Sequence, residues 1–470
     1  MGSSLNPKIL TRLRAGTATA TELAQLTGAS QSTVTRALRA LIDDGQLMLT
    51  GRARAARYGY RRAVEPIGSH WPLRRIDADG AVHELGILYA LASDEYSLYI
   101  YGGAQEQGFA FAGLNHGLPY FLQDPRPGGF LGAAVPARYP ELDLPQRVND
   151  WNDDQYLKYL TLHGADPVSD LILGDRAFDE YLTGVSHRVR LPRAERAQRY
   201  PILADEAMRG SPTGSSVHGE HPKFTVLLEE GDPKQALSSR EAIVKFSPVL
   251  QRAVGRRWGD LLIAEHHAHA VLNAANVASC SSEVIEAGER IFLEVRRFDR
   301  RGAEGRIGVT SLLAIANGLI GSSTNWLDVA TRLHLAKRID DATLETVRLV
   351  ATFGALIGNT DQHLGNLACF DRYDGRFTLA PIYDMLPMLF APSHDEIIDR
   401  EFKPPEPTSA TLRAWGSARE LAETYWLRLT EDQRISAPFR DICASCHGTL
   451  SAQPRDGAYA FKATPAVRMT

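Results

Sequence analysis

Asp361 and Asn366 lie five residues apart in the run Ile357-Gly-Asn-Thr-Asp-Gln-His-Leu-Gly-Asn366, and Asp384 follows in Pro381-Ile-Tyr-Asp-Met385. Phosphoryl transfer needs a carboxylate that orients or deprotonates a hydroxyl, and a carboxamide and second carboxylate that hold a metal ion. The five-residue separation is the one such enzymes place between base and metal-binding Asn. His363 falls between the two and would brace the loop through hydrogen bonds. Asn, Asp and Gly also build polar turns, so the string alone reads equally well as a loop that satisfies its own backbone. Elements elsewhere in the chain have to decide.

Glu241-Ala-Ile-Val-Lys-Phe246 alternates like a strand and carries a single Lys, Lys245, where a phosphate-pairing lysine belongs. Glu265 then opens an Ala- and Leu-rich helical stretch through Leu272 and is placed to hold that lysine. A solvated first-turn carboxylate favoured by the helix dipole is the competing reading. Ile291-Phe-Leu-Glu-Val-Arg-Arg-Phe-Asp-Arg300 reads as a buried strand running into a charged turn, with Val295 and Arg296 at its exit. Ser215-Ser-Val-His-Gly-Glu-His-Pro-Lys223 is a Gly/Ser loop that matches neither G-x-G-x-x-G nor a Walker A. Gly219 would let its backbone approach phosphate oxygens closely and Lys223 would add charge; a flexible surface loop is the alternative.

The combination G-N-x-D-x-H-x-x-N with a later Y-D-M-x-P, the Phe-Asp-Arg turn and the S-x-x-G-x-x-x-K loop resembles the HipA family of bacterial serine/threonine kinases, toxins of toxin-antitoxin systems. Asn359-Thr360 in place of His-Arg, and Tyr383-Asp384-Met385 in place of Asp-Phe-Gly, separate the chain from eukaryotic-type protein kinases. The resemblance covers about residues 71–440. It implies ATP and Mg2+ as cofactors, with Lys245 on the phosphates, Asn366 and Asp384 on the metal and Asp361 as base. It further implies that adenine meets the backbone at Val295 and Arg296, and that Ser216 is a serine the kinase phosphorylates itself. In the usual arrangement of the family a separate DNA-binding antitoxin neutralises the kinase.

Residues 1–62 hold ten Lys or Arg against three acids, a net of +7 in a chain whose total is -4, and such asymmetry marks an end that meets a polyanion. Asn6-Pro7 caps a first helix with Ile9, Leu10 and Leu13 on one face; Thr19-Ala-Thr-Glu22 fits a capping box before Leu23 and Leu26, and Gly28 ends that helix. Ser30 caps a third helix with Val34, Leu38, Leu41 and Ile42 inward, leaving Gln31, Ser32, Thr33, Thr35, Arg36 and Arg39 to read a groove and touch phosphates. Leu47 and Leu49, then Tyr58 and Tyr60, alternate as two strands of a wing that carries Arg52, Arg54 and Arg57. This resembles a winged helix-turn-helix, which most HipA kinases lack, so the nearest branch is the stand-alone, HipH-like one.

The expected fold class is α+β: a winged helix-turn-helix at 1–62, a linker at 63–70, a strand-bearing N-lobe with an ATP-covering loop at 71–258, and a mostly helical C-lobe at 259–470. No apolar run approaches the ~20 residues that span a bilayer, and four cysteines build no disulfide scaffold, which predicts a cytoplasmic protein. Cys443-Ala-Ser-Cys446-His447 matches a haem-attachment string but is discounted, and His266 and His269 lack a third ligand at metal-binding spacing. The expected partners are duplex DNA and an unidentified protein substrate, with no membrane and with a homodimer on DNA left open. Two other functions stay open: a DNA-binding regulator that senses nucleotide, and a metal-dependent nuclease or phosphotransferase acting on DNA.

Overall fold

The computed structural model describes residues 5–106, 109–124, 129–187, 189–209, 221–230, 238–393 and 396–453. Ser215, Ser216 and Gly219, of the loop expected to cover the phosphates, lie outside the described residues.

The N-terminal unit is α1 (Leu5–Arg14), α2 (Ala20–Thr27) and α3 (Gln31–Asp43), followed by the antiparallel pair β1 (Leu47–Thr50) and β2 (Arg57–Tyr60). Local signals act as their chemistry dictates. Thr19 and Glu22 close the capping box, Gly28 ends α2 at φ 69°, and the Ser30 side chain accepts the Thr33 amide. Ile9, Leu13, Leu23, Val34, Leu38, Leu41 and Leu47 form the core. Two apolar positions differ from expectation. Leu26 is exposed because α2 spans eight residues and buries Leu23 alone. Leu49 is exposed because the opposite side of the ribbon, at Thr50, packs against Ser97 (3.1 Å).

That contact belongs to a larger seam. The Glu95 carboxylate accepts the Thr17 amide (2.8 Å) and hydroxyl (3.3 Å). Arg62 donates to both oxygens of Asp154 (2.6 and 2.8 Å), to the Leu91 carbonyl (2.7 Å) and to the Tyr96 hydroxyl (3.1 Å). Gly59 has no room for a Cβ, which would stand 2.7 Å from a Leu91 methyl. Residues 63–70, expected as a linker, form a turn in which Val64 is buried and its amide bonds the Gly68 carbonyl (2.7 Å).

The expected strand-bearing lobe divides between two sheets. One is antiparallel in the order β6-β5-β4-β3-β7, built from β3 (His70–Ile76), β4 (Val82–Ala90), β5 (Glu95–Ile100), β6 (Gly113–His116) and β7 (Leu171–Leu173). The other has the order β11-β12-β10-β9-β8, from β8 (Arg190–Leu191), β9 (Lys223–Glu230), β10 (Ser238–Phe246), β11 (Ser282–Ala287) and β12 (Arg290–Arg296). Its last two strands come from beyond residue 258. The helix Ala253–Ala274 packs against them, so the boundary expected at 259 falls inside one unit, and Glu265 sits in mid-helix instead of opening one. The remainder is helical, with Trp326–Leu335, Asp341–Leu356, Leu412–Glu431 and Ala437–Ser451 around a small sheet of Val309–Ser311, Ala368–Asp371 and Phe377–Leu379. No helix among the described residues is long and apolar enough to cross a membrane.

Buried charge and hydroxyl networks fasten the first sheet to the rest. Arg300 bonds Asp166 (2.6 Å), the Pro167 carbonyl (2.6 Å) and Asp299 (2.7 Å), while Arg297 holds Asp299 (2.6 Å) and Glu241 (3.2 Å). Burial would raise the Asp299 pKa, but Arg297 and Arg300 bring it down to about 2. Asp170, just before β7, accepts the Tyr373 hydroxyl, and Asp371 accepts the Tyr120 hydroxyl (2.8 Å).

No cation comparable to Arg297 offsets burial at Asp170 and Asp371, which pushes each carboxyl up to about 6. A pKa raised on folding means that the native state holds the proton more tightly. The stabilisation is complete below the unfolded carboxylate range and is lost as pH rises through 6. Urea midpoints should therefore fall between pH 4.5 and 7, by on the order of 2 kcal/mol per group. Asp170→Asn, which keeps an oxygen for Tyr373 and cannot ionise, should remove about half of that slope. A profile that is flat in the wild type refutes the assignment.

Candidate active site and DNA face

Lys245 lies in a central strand, and its side chain is only 8% exposed. A buried ammonium needs partners, and two carboxylates from different elements supply them. Glu265, fully buried in the helix Ala253–Ala274, accepts through both oxygens (2.6 and 2.7 Å), and Asp384 accepts through Oδ1. Gly259 allows the helix this approach, since a Cβ there would stand 3.0 Å from Ile291 of β12. Burial alone would lower the Lys245 pKa, yet Asp384 and Glu265 hold it above its ordinary value. Burial likewise opposes the charge of Asp384, and Lys245 and Lys223 keep that carboxyl below the usual range.

Asp384 stands at φ 51°, a left-handed backbone that a non-glycine residue adopts at a cost of about 1–2 kcal/mol. Two contacts hold it there: its amide bonds Glu265, and its carbonyl accepts Asn359 Nδ2 (3.4 Å). Asn359 Oδ1 in turn accepts the Asp361 amide (3.0 Å), so one carboxamide ties the two acidic loops together. Nothing in the sequence motif distinguishes this role of Asn359 from that of an ordinary turn residue.

Asp361 is half exposed and faces outward. Asn366 directs Nδ2 to the Asp361 carbonyl (2.9 Å) and carboxylate (3.3 Å), which leaves Oδ1 as its remaining polar atom. His363 accepts the Gly365 amide at Nδ1 (3.1 Å), its carbonyl takes Trp326 Nε1 (2.8 Å), and the Tyr383 hydroxyl bonds the Gly365 carbonyl (2.7 Å). These bonds hold the loop at His363, with Trp326 and Tyr383 as supports that no local pattern announces. Asn366 and Asp384 together offer oxygen donors only, a set that suits magnesium completed by phosphate and water oxygens. His266 and His269 instead share the Ser282 hydroxyl (3.0 and 3.1 Å), and Cys443 and Cys446 are buried thiols inside a helix.

Lys223 pairs directly opposite Lys245 across β9 and β10. Like charges at facing positions repel, and a polyanion placed between them relieves that repulsion. Val295 is buried within β12, and the Arg296 amide already donates to the Ser281 carbonyl (2.9 Å), so that amide is occupied inside the sheet. Arg296 lines a cavity of about 380 Å³ with Cys280, Ser281, Phe298, Ile307 and Pro381 among others.

On the winged unit, Gln31, Ser32, Thr33, Thr35, Arg36 and Arg39 are all exposed along α3, and Arg52 is exposed in the wing. Arg54 belongs to a short turn of helix, Ala53–Ala55. Arg57 departs from the expected phosphate-contacting role. Its guanidinium bonds the Thr17 hydroxyl (3.1 Å) and carbonyl (3.0 Å), because β2 runs beside the turn that precedes α2.

Comparison with known proteins gives three family matches: a winged helix-turn-helix DNA-binding family at residues 6–47, a YjjJ-like toxin middle domain at 67–182, and a HipA-like C-terminal domain at 215–449. Toxin YjjJ of Escherichia coli (strain K12) is 32% identical over 434 residues, covering 91% of this chain and 93% of that protein. Among solved structures, HipA of Shewanella oneidensis MR-1, from a complex with HipB and operator DNA, aligns at 15% identity over 80% of this chain and 95% of its own, with TM-score 0.47. The Helicobacter pylori proinflammatory kinase CtkA aligns at 14% identity over 47% of this chain and 88% of its own, with TM-score 0.32.

Removing Glu265 leaves the Lys245 ammonium buried with one carboxylate. Glu265→Ala should cost about 3 kcal/mol in urea unfolding, and the triple change Lys245→Met, Glu265→Leu, Asp384→Asn should recover most of it, because it leaves none of the three charges orphaned. A single variant as stable as the wild type would show that the pair is not buried as described.

Proposed function

The chain belongs to the HipA-like family, in its YjjJ-type toxin branch, and from that premise we propose that it is an ATP- and magnesium-dependent serine/threonine protein kinase carrying its own DNA-binding domain. The observation that carries the reading is the Lys245–Glu265–Asp384 triad, set opposite Lys223 and linked through Asn359 to the Asp361–Asn366 loop. A buried lysine fixed by a helix glutamate, an acidic residue of a metal-binding loop and an exposed aspartate beside an Asn is the equipment of phosphoryl transfer.

In this mechanism Lys245 and Lys223 receive the phosphates, and Glu265 keeps the Lys245 ammonium from swinging away. Asp361 orients the acceptor hydroxyl and takes its proton, while Asn366 and His363 fix the loop that presents it. Asn366 Oδ1 and the Asp384 carboxylate would hold magnesium, which supplies charge neutralisation at the phosphate oxygens. The base is assigned to the exit of β12, beside Val295 and Arg296, where a cavity of about 380 Å³ opens. Ser216 is the proposed site of autophosphorylation, and Gly219 belongs to the same loop. A phosphoserine there would add negative charge where nucleotide phosphates must lie.

The winged domain is proposed to bind duplex DNA, with α3 in the major groove and Arg52 and Arg54 along the backbone. Exposure of all six α3 candidates supports this. The acceptor is proposed to be a protein, so incubation with labelled ATP, with and without DNA, should label protein and leave DNA unlabelled and intact.

Asp384→Ala should weaken magnesium-dependent ATP binding in calorimetry, whereas Asp361→Ala should retain binding and lose transfer by about 10²-fold or more. Full transfer by Asp361→Ala removes it from the role of base.

For DNA, anisotropy titrations of the full chain across a salt series should show that Arg52→Ala flattens the slope of log K on log salt by about one. Gln31→Ala should instead shift sequence preference. Arg57→Ala should lower the melting temperature with little change in slope, since its partner is Thr17.

A further inference from the structure

His221 stands at the mouth of the phosphate site and has no part in the mechanism above. It precedes Lys223 by two residues where the chain enters β9, so strand alternation sends both side chains to one side of the sheet. Backbone pairing already holds this stretch, because the Phe246 amide donates to the Pro222 carbonyl (3.1 Å). The imidazole packs edge-on to Trp258, with ring centroids 4.1 Å apart and planes at 75°. Its Nε2 is buried and has no hydrogen-bond partner among the described residues. The charged groups that face it are Lys245, Asp384 and Lys223, the groups that line the phosphate site.

A buried ring nitrogen without a partner needs an explanation, since native interiors pair nearly all such groups. Packing alone does not supply one, because a phenyl ring would meet Trp258 as well and leave no orphan. Metal ligation is unsupported, as the described residues contain no cluster of three or more His, Cys, Asp or Glu groups able to hold an ion. Proton transfer is also a poor fit. Burial, reinforced by the two lysines, lowers the His221 pKa to about 3 and keeps the ring neutral. A neutral imidazole with Nε2 protonated is a fixed, uncharged donor. The ligand that completes it has to bring an acceptor into the space between Lys223, Lys245 and Asp384.

We infer that His221 is a nucleotide-contacting residue whose Nε2 donates to a phosphate oxygen of the bound nucleoside triphosphate, forming a three-donor cradle with Lys223 and Lys245. The inference rests on the phosphoryl-transfer reading of the site and assigns to it a residue that the catalytic and metal-binding motifs do not include. Trp258 fixes the plane of the ring, so the donor is oriented before nucleotide arrives.

Calorimetry on the full-length protein tests it, with ATP plus magnesium and with adenosine as probes, on the wild type, His221→Phe and His221→Gln. Far-ultraviolet circular dichroism confirms the fold of each. His221→Phe keeps the ring against Trp258 and removes the donor, so ATP binding should weaken by about tenfold while adenosine binding is unchanged. His221→Gln retains an N–H donor and should recover most of the loss. ATP binding unchanged in His221→Phe, or an equal loss for ATP and adenosine, overturns the assignment. A wild type that binds no ATP overturns the phosphoryl-transfer reading itself, and this inference with it.

Discussion

The ammonium of Lys245 has to be neutralised where water cannot do it, and much of the site is arranged around that requirement. Its two carboxylate partners come from a helix and a loop that are remote in sequence, so burying one charge orients three elements at once. The helix must lie close enough to place Glu265, which Gly259 permits, and the loop must turn through a left-handed residue to place Asp384. Removing a partner from such a set costs far more than the set contributes against an apolar equivalent. On the proposed reading the arrangement serves a phosphate-rich ligand, which the two facing lysines beside it would receive.

Charge also joins the units of the chain. Arg297 and Arg300, at the turn after β12, link that turn to Asp166 of the first sheet's unit and to Glu241 of β10. Residues that read in sequence as a charged turn form a buried knot. The winged unit is attached in a similar way, through Glu95 on Thr17 and through Asp154 and Tyr96 on Arg62. Its α3 remains exposed, but its position relative to the first sheet is set by buried polar contacts. The wing loses Arg57 to the same packing, which narrows the basic surface offered to a phosphate backbone.

Local signals were legible wherever one or two turns of chain decide the outcome. The Thr19 and Ser30 caps, the Gly28 stop, the alternation around Lys245 and the Asp361–Asn366 spacing all act within a few residues, and the structure has each where the sequence puts it. Errors arose where a face meets a distant partner. Leu49, Arg57 and Val64 have the composition of a core residue, a phosphate contact and a linker, and each is reassigned by contact with another part of the fold. The division of residues 71–258 between two sheets was likewise hidden, because strands of either sheet show the same alternation and nothing local states which neighbour they pair with.

By itself, then, the sequence determined most of the elements, the spacing of the candidate catalytic loop and the presence of a basic winged end, because spacing and residue type act over a few ångströms of connected chain. Only the tertiary structure decided that Glu265 and Asp384 share one ammonium, that Lys223 faces Lys245, that Asn359 joins the two acidic loops and that His221 carries an orphan nitrogen toward them. Those facts depend on which residues burial brings together. Electrostatic energy in a dry interior depends on distance through space, and sequence separation carries no record of it.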